Sequence, residues 1–214
     1  MQMLKENKKT LIITSIVNLL PILIGVIFWD KLPDQMATHF SSGGADGFSG
    51  KNFAVFGIPV VMLVLHLIAA FVTANDPRRQ NINPKIYRVV LWLIPVISLV
   101  VAAMTYSYNL GYDVDISFIV QLFFGTLSVV IGNYLPKARQ NYTIGLKFPW
   151  TLANEENWNR THRFGGILWM IGGAAIIVLT LCGVTQFDWT IGILAALALL
   201  PFIYSAWLHA AKGL

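Results

Sequence analysis

Apolar residues in this chain neither alternate nor recur every three to four positions. They come in long, nearly unbroken runs separated by polar stretches. Six runs approach about 20 residues, the length at which a helix rising about 1.5 Å per residue crosses roughly 30 Å of hydrocarbon. They cover approximately residues 11–29, 53–73, 86–108, 116–134, 164–184 and 189–209. Lipid offers no partner to exposed backbone groups, so each run is expected to be helical. Pro21, Pro59, Pro95 and Pro201 fall inside four of them, where proline kinks a bundled helix rather than ending it. The fold class predicted is an all-α membrane protein, a bundle of about six transmembrane helices.

Composition agrees with that pattern. Hydrophobic residues make up 56% of the 214 positions and charged ones 12%, about half the charged share of a soluble domain. The net charge of +5 is spread between apolar runs instead of forming a tract, so direct nucleic-acid binding is not expected. Placing the N-terminus in the cytoplasm puts thirteen Lys and Arg on the inner side, against Lys31 and Lys51 outside. Basic residues favour the cytoplasmic face, so both termini are expected inside. The first run ends in Trp29-Asp30-Lys31, without small residues at a cleavage position, and reads as an uncleaved helix rather than a signal peptide. Cys182 stands alone, with no intrachain disulfide partner, and reads as a small buried apolar residue.

Two connections are long enough to be more than linkers: an outer loop, 30–52, and an inner loop, 135–163. The first belongs to an N-terminal membrane domain, 1–80, and the second to a C-terminal one, 81–214. The outer loop joins Pro33 as a helix start, His39-Phe40 and a Gly/Ser-rich turn to Asp46, which suggests a compact folded loop. His39 with Asp34 and Asp46 offers the side chains of a metal or proton site, but at irregular spacing. The plainer reading has these groups closing turns, with Phe40 and Phe48 resting on the bilayer. Either way the loop suits a recognition surface. No metal or other cofactor is assigned.

The inner loop turns helical again after Trp150-Thr151 and places Trp158, Thr161, His162 and Gly165 on one face at helical spacing. Arg139, Lys147, Arg160 and Arg163 make the surround basic, as contact with anionic lipids requires, and tryptophans suit interfacial anchoring. Histidine as a residue type titrates near neutrality, which makes His162 a candidate proton relay, although a histidine bonded into a loop is the commoner case. Inside the membrane, His66 invites a functional hypothesis, and Asn18 and Gln121 do so more weakly. A hydrogen bond to a facing helix accounts for each equally well. Gly165, Gly166, Gly172 and Gly173 form a small-residue stripe for close helix packing.

There is no phosphate-binding Gly-rich loop, His-Glu-x-x-His, Gly-x-Ser-x-Gly or pair of intramembrane carboxylates, so no enzyme is expected. The two loops carry a resemblance instead. The stretch Leu32-Pro33 … His39-Phe40 … Gly44-x-Asp46 resembles the short N-terminal domain of unknown function in SdpI-type proteins, except that Ser41 stands where the family usually has Asn. The stretch Gly132-Asn133-Tyr134 … Lys137-x-Arg139-x-Asn141 … Gly145-x-Lys147-x-Pro149-Trp150-Thr151-Leu152 … Trp158 … Thr161-His162 … Gly165 resembles that family's C-terminal domain. The resemblance implies an immunity protein of the bacterial cytoplasmic membrane that protects against a secreted, membrane-active peptide toxin. Its functional positions would be His39, Phe40, Asp46, Arg139, Asn141, Gly145, Trp150, Trp158, Thr161 and His162. The best-known family system also captures a cytoplasmic transcriptional repressor, whereas other members occur without one. Two alternatives stay open: a small transporter or exporter with a path past His66 and the prolines, and a membrane enzyme using His39, Asp46 or His162.

Overall fold

The computed structural model describes residues 2–41 and 44–214. Among these, six helices are long and apolar enough to cross a membrane: Lys8–Ile27, Phe53–Ala74, Pro84–Asn109, Ile116–Lys137, Glu155–Leu181 and Phe187–Lys212. The chain folds into two compact units, residues 1–75 with 87–116 and residues 76–86 with 117–214.

The first unit contains a short helix α1 (Gln2–Glu6), then α2 (Lys8–Ile27), α3 (Ile58–Ala74) and most of α4 (Pro84–Asn109). A π-helical turn, Phe53–Gly57, leads into α3. The polarity of α3 is inverted relative to a soluble helix. Its buried positions are Pro59, His66, Ala70, Thr73 and Ala74, while Val60, Val61, Val64, Leu65, Leu67, Ile68, Phe71 and Val72 are exposed. Small and polar side chains meet neighbouring helices and large apolar ones face outward, the arrangement lipid favours and water penalises. His66 is fully buried, and its Nε2 lies 3.1 Å from the Thr14 hydroxyl of α2.

The outer loop is not purely coil. Pro33 starts no helix: a 3-10 turn at Trp29–Lys31 precedes it, and strand β1 (Gln35–Ser41) follows. It pairs antiparallel with β2 (Gly44–Gly50), with register irregularities around His39. The turn positions Ser42 and Gly43 lie outside the described residues. Leu32 and Met36 carry the hairpin into a core with Ala54, Val55, Ala102 and Tyr106. Asn109 clamps it further, accepting from the Ala37 N–H at 2.8 Å and donating to the Ala37 carbonyl at 3.0 Å.

The second unit holds α5 (Ile116–Tyr134), a 3-10 turn at Leu135–Lys137, α6 (Pro149–Ala153), α7 (Glu155–Leu181) and α8 (Phe187–Lys212). Helix α7 starts nine residues before the apolar run that marks it in the sequence, because Asn154 caps it, accepting from the Asn157 N–H at 3.0 Å. The glycine stripe divides between two neighbours. A Cβ at Gly173 would stand 2.6 Å from the Gly125 carbonyl, and one at Gly166 would stand 2.8 Å from the Gly132 carbonyl, both on α5. Gly172 faces Leu197 of α8 instead, and Gly165 faces Leu146 and Pro201. In α8, Pro201 has no N–H for the Leu197 carbonyl four residues back. The Trp169 indole donates to that carbonyl at 2.9 Å. Cys182 caps the end of α7 and is exposed, not buried as the apolar run around it suggests.

Candidate functional site

A set of buried polar side chains in the second unit converges on the loop between α5 and α7. Asn141, 2% exposed, bends the chain around itself. Its Oδ1 accepts from the Thr143 N–H at 2.9 Å and the Ile144 N–H at 2.6 Å; its Nδ2 donates to the Arg139 carbonyl at 2.8 Å and the Ile144 carbonyl at 3.0 Å. One side chain thereby satisfies four backbone groups that no helix or strand serves. Gly145 follows with φ +119°, and a Cβ there would collide with the His162 ring. The turn needs glycine for both conformation and space.

His162 locks the next step of the loop onto α7. Its Nε2 accepts the Leu146 N–H at 3.0 Å. The proton of the neutral ring therefore sits on Nδ1, which donates to the Trp158 carbonyl at 2.9 Å. The Trp158 ring stacks on the imidazole at 3.9 Å and 18°, and its indole N–H donates to the Ala138 carbonyl at 2.7 Å. Trp158 is wholly buried, so it anchors the loop from within rather than at a lipid interface. Thr161 donates to Asn157 Oδ1 at 3.0 Å, which also accepts from the Ser205 hydroxyl at 2.8 Å. The half-buried Trp150 donates to Ser205 at 2.6 Å and stacks on His209. Trp158, Thr161, His162 and Gly165 all lie on the buried face of α7. Arg139 alone of the inner-loop candidates points away from this network, exposed.

Four contributors carry no signal of the kind used above. Asp76, 1% exposed, accepts from the Tyr142 N–H at 2.9 Å, the Thr143 hydroxyl at 2.9 Å and the Arg78 N–H at 2.7 Å. It stands in Asn75-Asp76-Pro77, the sole carboxylate of a basic stretch, and that isolation was the available clue. Gln140 donates to the Thr151 and Leu152 carbonyls at 2.7 and 3.0 Å and accepts from Arg78. Asn157 and Ser205 look like unremarkable helix polar residues until α7 and α8 meet. The resulting surface is basic: Arg78 lies over the Tyr142 ring at 4.8 Å, and Lys147 donates to the Tyr142 and Thr143 carbonyls at 3.2 and 3.1 Å.

The outer-loop candidates gather separately on the hairpin. His39 Nδ1 meets Asp46 Oδ1 at 2.6 Å, both exposed. Hydrogen bonds from His39, then from Ser41, hold the Asp46 carboxyl below the ordinary carboxylate range. Asp34 joins neither; it pairs with Lys51 at 3.2 Å. Among the described residues no three His, Cys, Asp or Glu side chains cluster as metal ligands do. Phe40 packs edge-on against Tyr108 at 5.1 Å, whereas Phe48 remains exposed.

Residues 137–205, which contain nearly all of this network, match the SdpI/YfhL protein family. This part of the chain is similar to the domain of that family. Residues 16–63, which include the hairpin, match a domain of unknown function, DUF1648. The chain is 28% identical to the immunity protein SdpI of Bacillus subtilis (strain 168) over 173 residues, 79% of this chain and 80% of that protein. No solved structure gives a significant match.

Proposed function

We propose that the chain is a non-enzymatic immunity protein of the bacterial cytoplasmic membrane, protecting its cell from a secreted, membrane-active peptide toxin. The observation that carries this reading is a coincidence of two boundaries. The segment that matches the family is the one in which Asn141, Gly145, Trp158, Thr161 and His162 hold a loop rigidly against α7. Similarity to an immunity protein over four-fifths of the chain supports the same role. In this reading both termini are cytoplasmic, as the distribution of Lys and Arg favours. The hairpin and outer helix ends meet the toxin, with Asp30, Asp34, Asp46, Asp113, Asp115 and Asp188 against Lys31 and Lys51. That acidic balance suits a cationic peptide.

In the same reading, the inner loop stabilises the toxin-bound state from the cytoplasmic side. Its basic face, with Arg78, Arg139 and Lys147, is the surface that anionic lipid or a cytoplasmic repressor would meet. The test is survival of toxin-sensitive bacteria that carry this chain, challenged with secreted peptide toxins, including the agent countered by the Bacillus subtilis relative. Survival above the empty-vector control is expected. Killing equal to that control rejects the proposal.

A further inference from the structure

The two edges of the outer hairpin are not equivalent. Residue pairs in an antiparallel ladder alternate between exchanging both backbone hydrogen bonds and exchanging neither. Ala37 bonds its N–H and carbonyl to Asn109, on the side away from β2. Its partner across the ladder is Phe48, so Phe48 likewise turns its N–H and carbonyl away from β1. Gly50, paired with Gln35 two positions along, does the same. One position beyond Gln35 and Gly50, the Lys51 N–H bonds to the Asp34 carbonyl at 2.9 Å, at the alternate position this phase requires. On β1 the outward groups at Ala37 are clamped by Asn109. On β2 no second strand lies alongside among the described residues.

The open edge is lightly protected near Phe48 and Gly50. Native sheets blunt such edges with Lys, Pro, bulges or a covering element; Gly44-Ala45-Asp46-Gly47-Phe48-Ser49-Gly50 has neither Lys nor Pro, and the register irregularities lie on the turn side of Phe48. Gly44, Asp46, Phe48 and Gly50 are exposed, Phe48 at 61%. Three glycines in seven residues leave little side-chain bulk to hinder a neighbouring backbone. The strand offers backbone donors and acceptors, one large apolar ring and one carboxylate. An incoming strand that matches these has apolar and basic side chains on a bare, extended backbone.

We infer that the outer edge of β2, centred on Phe48 and Gly50, is a docking strand for an extended peptide segment carrying basic and apolar side chains, which pairs with it as a third strand. This rests on the immunity reading for the identity of the natural peptide, which is then the toxin; the binding chemistry itself is independent of that reading. Affinity comes from main-chain pairing, while Asp46 and Phe48 select the side chains.

The probe is a fluorescent seven-residue peptide of alternating Lys and Val, titrated against the purified full chain in detergent, with empty micelles subtracted. Phe48→Pro with Gly50→Pro removes two outward N–H donors and spares the β1 ladder, since proline is tolerated where an edge N–H faces solvent. This variant is expected to bind at least about tenfold more weakly, as loss of two hydrogen bonds implies. Phe48→Ala, which keeps both amides, should lose only a few-fold. A peptide N-methylated at its Val residues should lose as much against the unaltered protein, a comparison that does not depend on any variant folding. Equal affinity for methylated and unmethylated peptides overturns the proposal. So does self-association of the chain through this edge, abolished by the same prolines, with no peptide bound. Binding at the edge without protection of cells would reject the immunity reading alone; protection without such binding would reject the docking strand alone.

Discussion

At the residue scale, the inner loop depends on side chains that replace a missing ladder. Asn141 serves four backbone groups, and its truncation to Ala strands buried N–H groups at a cost of about 1–3 kcal/mol each. His162 performs a similar task at one remove, fixing Leu146 to α7. The type and spacing of these residues were legible in the sequence. Their partners were not, because Asp76 and Gln140 acquire meaning only when distant segments close on the loop. On the hairpin, His39 and Asp46 met as the sequence allowed, while Asp34 went to Lys51; spacing does not reveal which strand position an acid will face. The pair yields a prediction in pH. Asp46 titrates below its ordinary value of 3.8 because the folded hairpin favours its ionised form. The contact is therefore intact above that ordinary value and is lost as pH falls through the lower, folded one. The carboxyl carbon of Asp46, followed by NMR in detergent, should have its midpoint below 3.8, and the midpoint should rise toward the ordinary value in the His39→Ala variant, where the Ser41 hydrogen bond remains. A midpoint at or above 3.8 in the unaltered protein contradicts the hydrogen bond.

At the scale of elements, all six spanning helices were legible because lipid demands length and apolarity, and little else. The hairpin was not legible: a seven-residue strand with three glycines has weak strand propensity, and its place comes from Met36, Leu32 and the Asn109 clamp. The glycine stripe of α7 was visible, but its division between α5 and α8 was not, since a period of seven does not say which neighbour lies on which side. That division predicts unequal outcomes. Gly173→Ala meets backbone of α5, whereas Gly172→Ala meets the movable end of Leu197. Backbone cannot yield as a side chain does, so Gly173→Ala should lower the melting temperature in detergent well below that of Gly172→Ala. Equal melting temperatures would mean that α5 and α7 do not approach through these glycines.

At the scale of the whole molecule, the proposed orientation, with both termini cytoplasmic, rests on thirteen basic residues against two. With the exposed Cys182 first replaced by Ser, a cysteine at the exposed position Ser41 should react with an impermeant reagent on intact cells, and one at the exposed Arg139 should not. The reverse labelling would turn the hairpin inward and remove it from any secreted toxin. In that proposed orientation, toxin contact falls to the outer hairpin and a stabilising role to the clamped inner loop. The loop's anchors and its hydrogen-bonding residues should separate experimentally. Trp158→Ala opens a buried cavity worth about 3–5 kcal/mol and should reduce the amount of folded protein. Asn141→Ala and His162→Ala leave the apolar anchors in place but strand backbone groups, so their expression is adjusted until membrane abundance equals that of the unaltered chain. The most direct measurement is therefore survival under toxin challenge at matched membrane abundance, comparing the unaltered chain with these two variants. Protection is expected from the unaltered chain and its loss in both Asn141→Ala and His162→Ala. Killing in all three cases would contradict the immunity function, and full protection in all three would contradict the role of the inner loop.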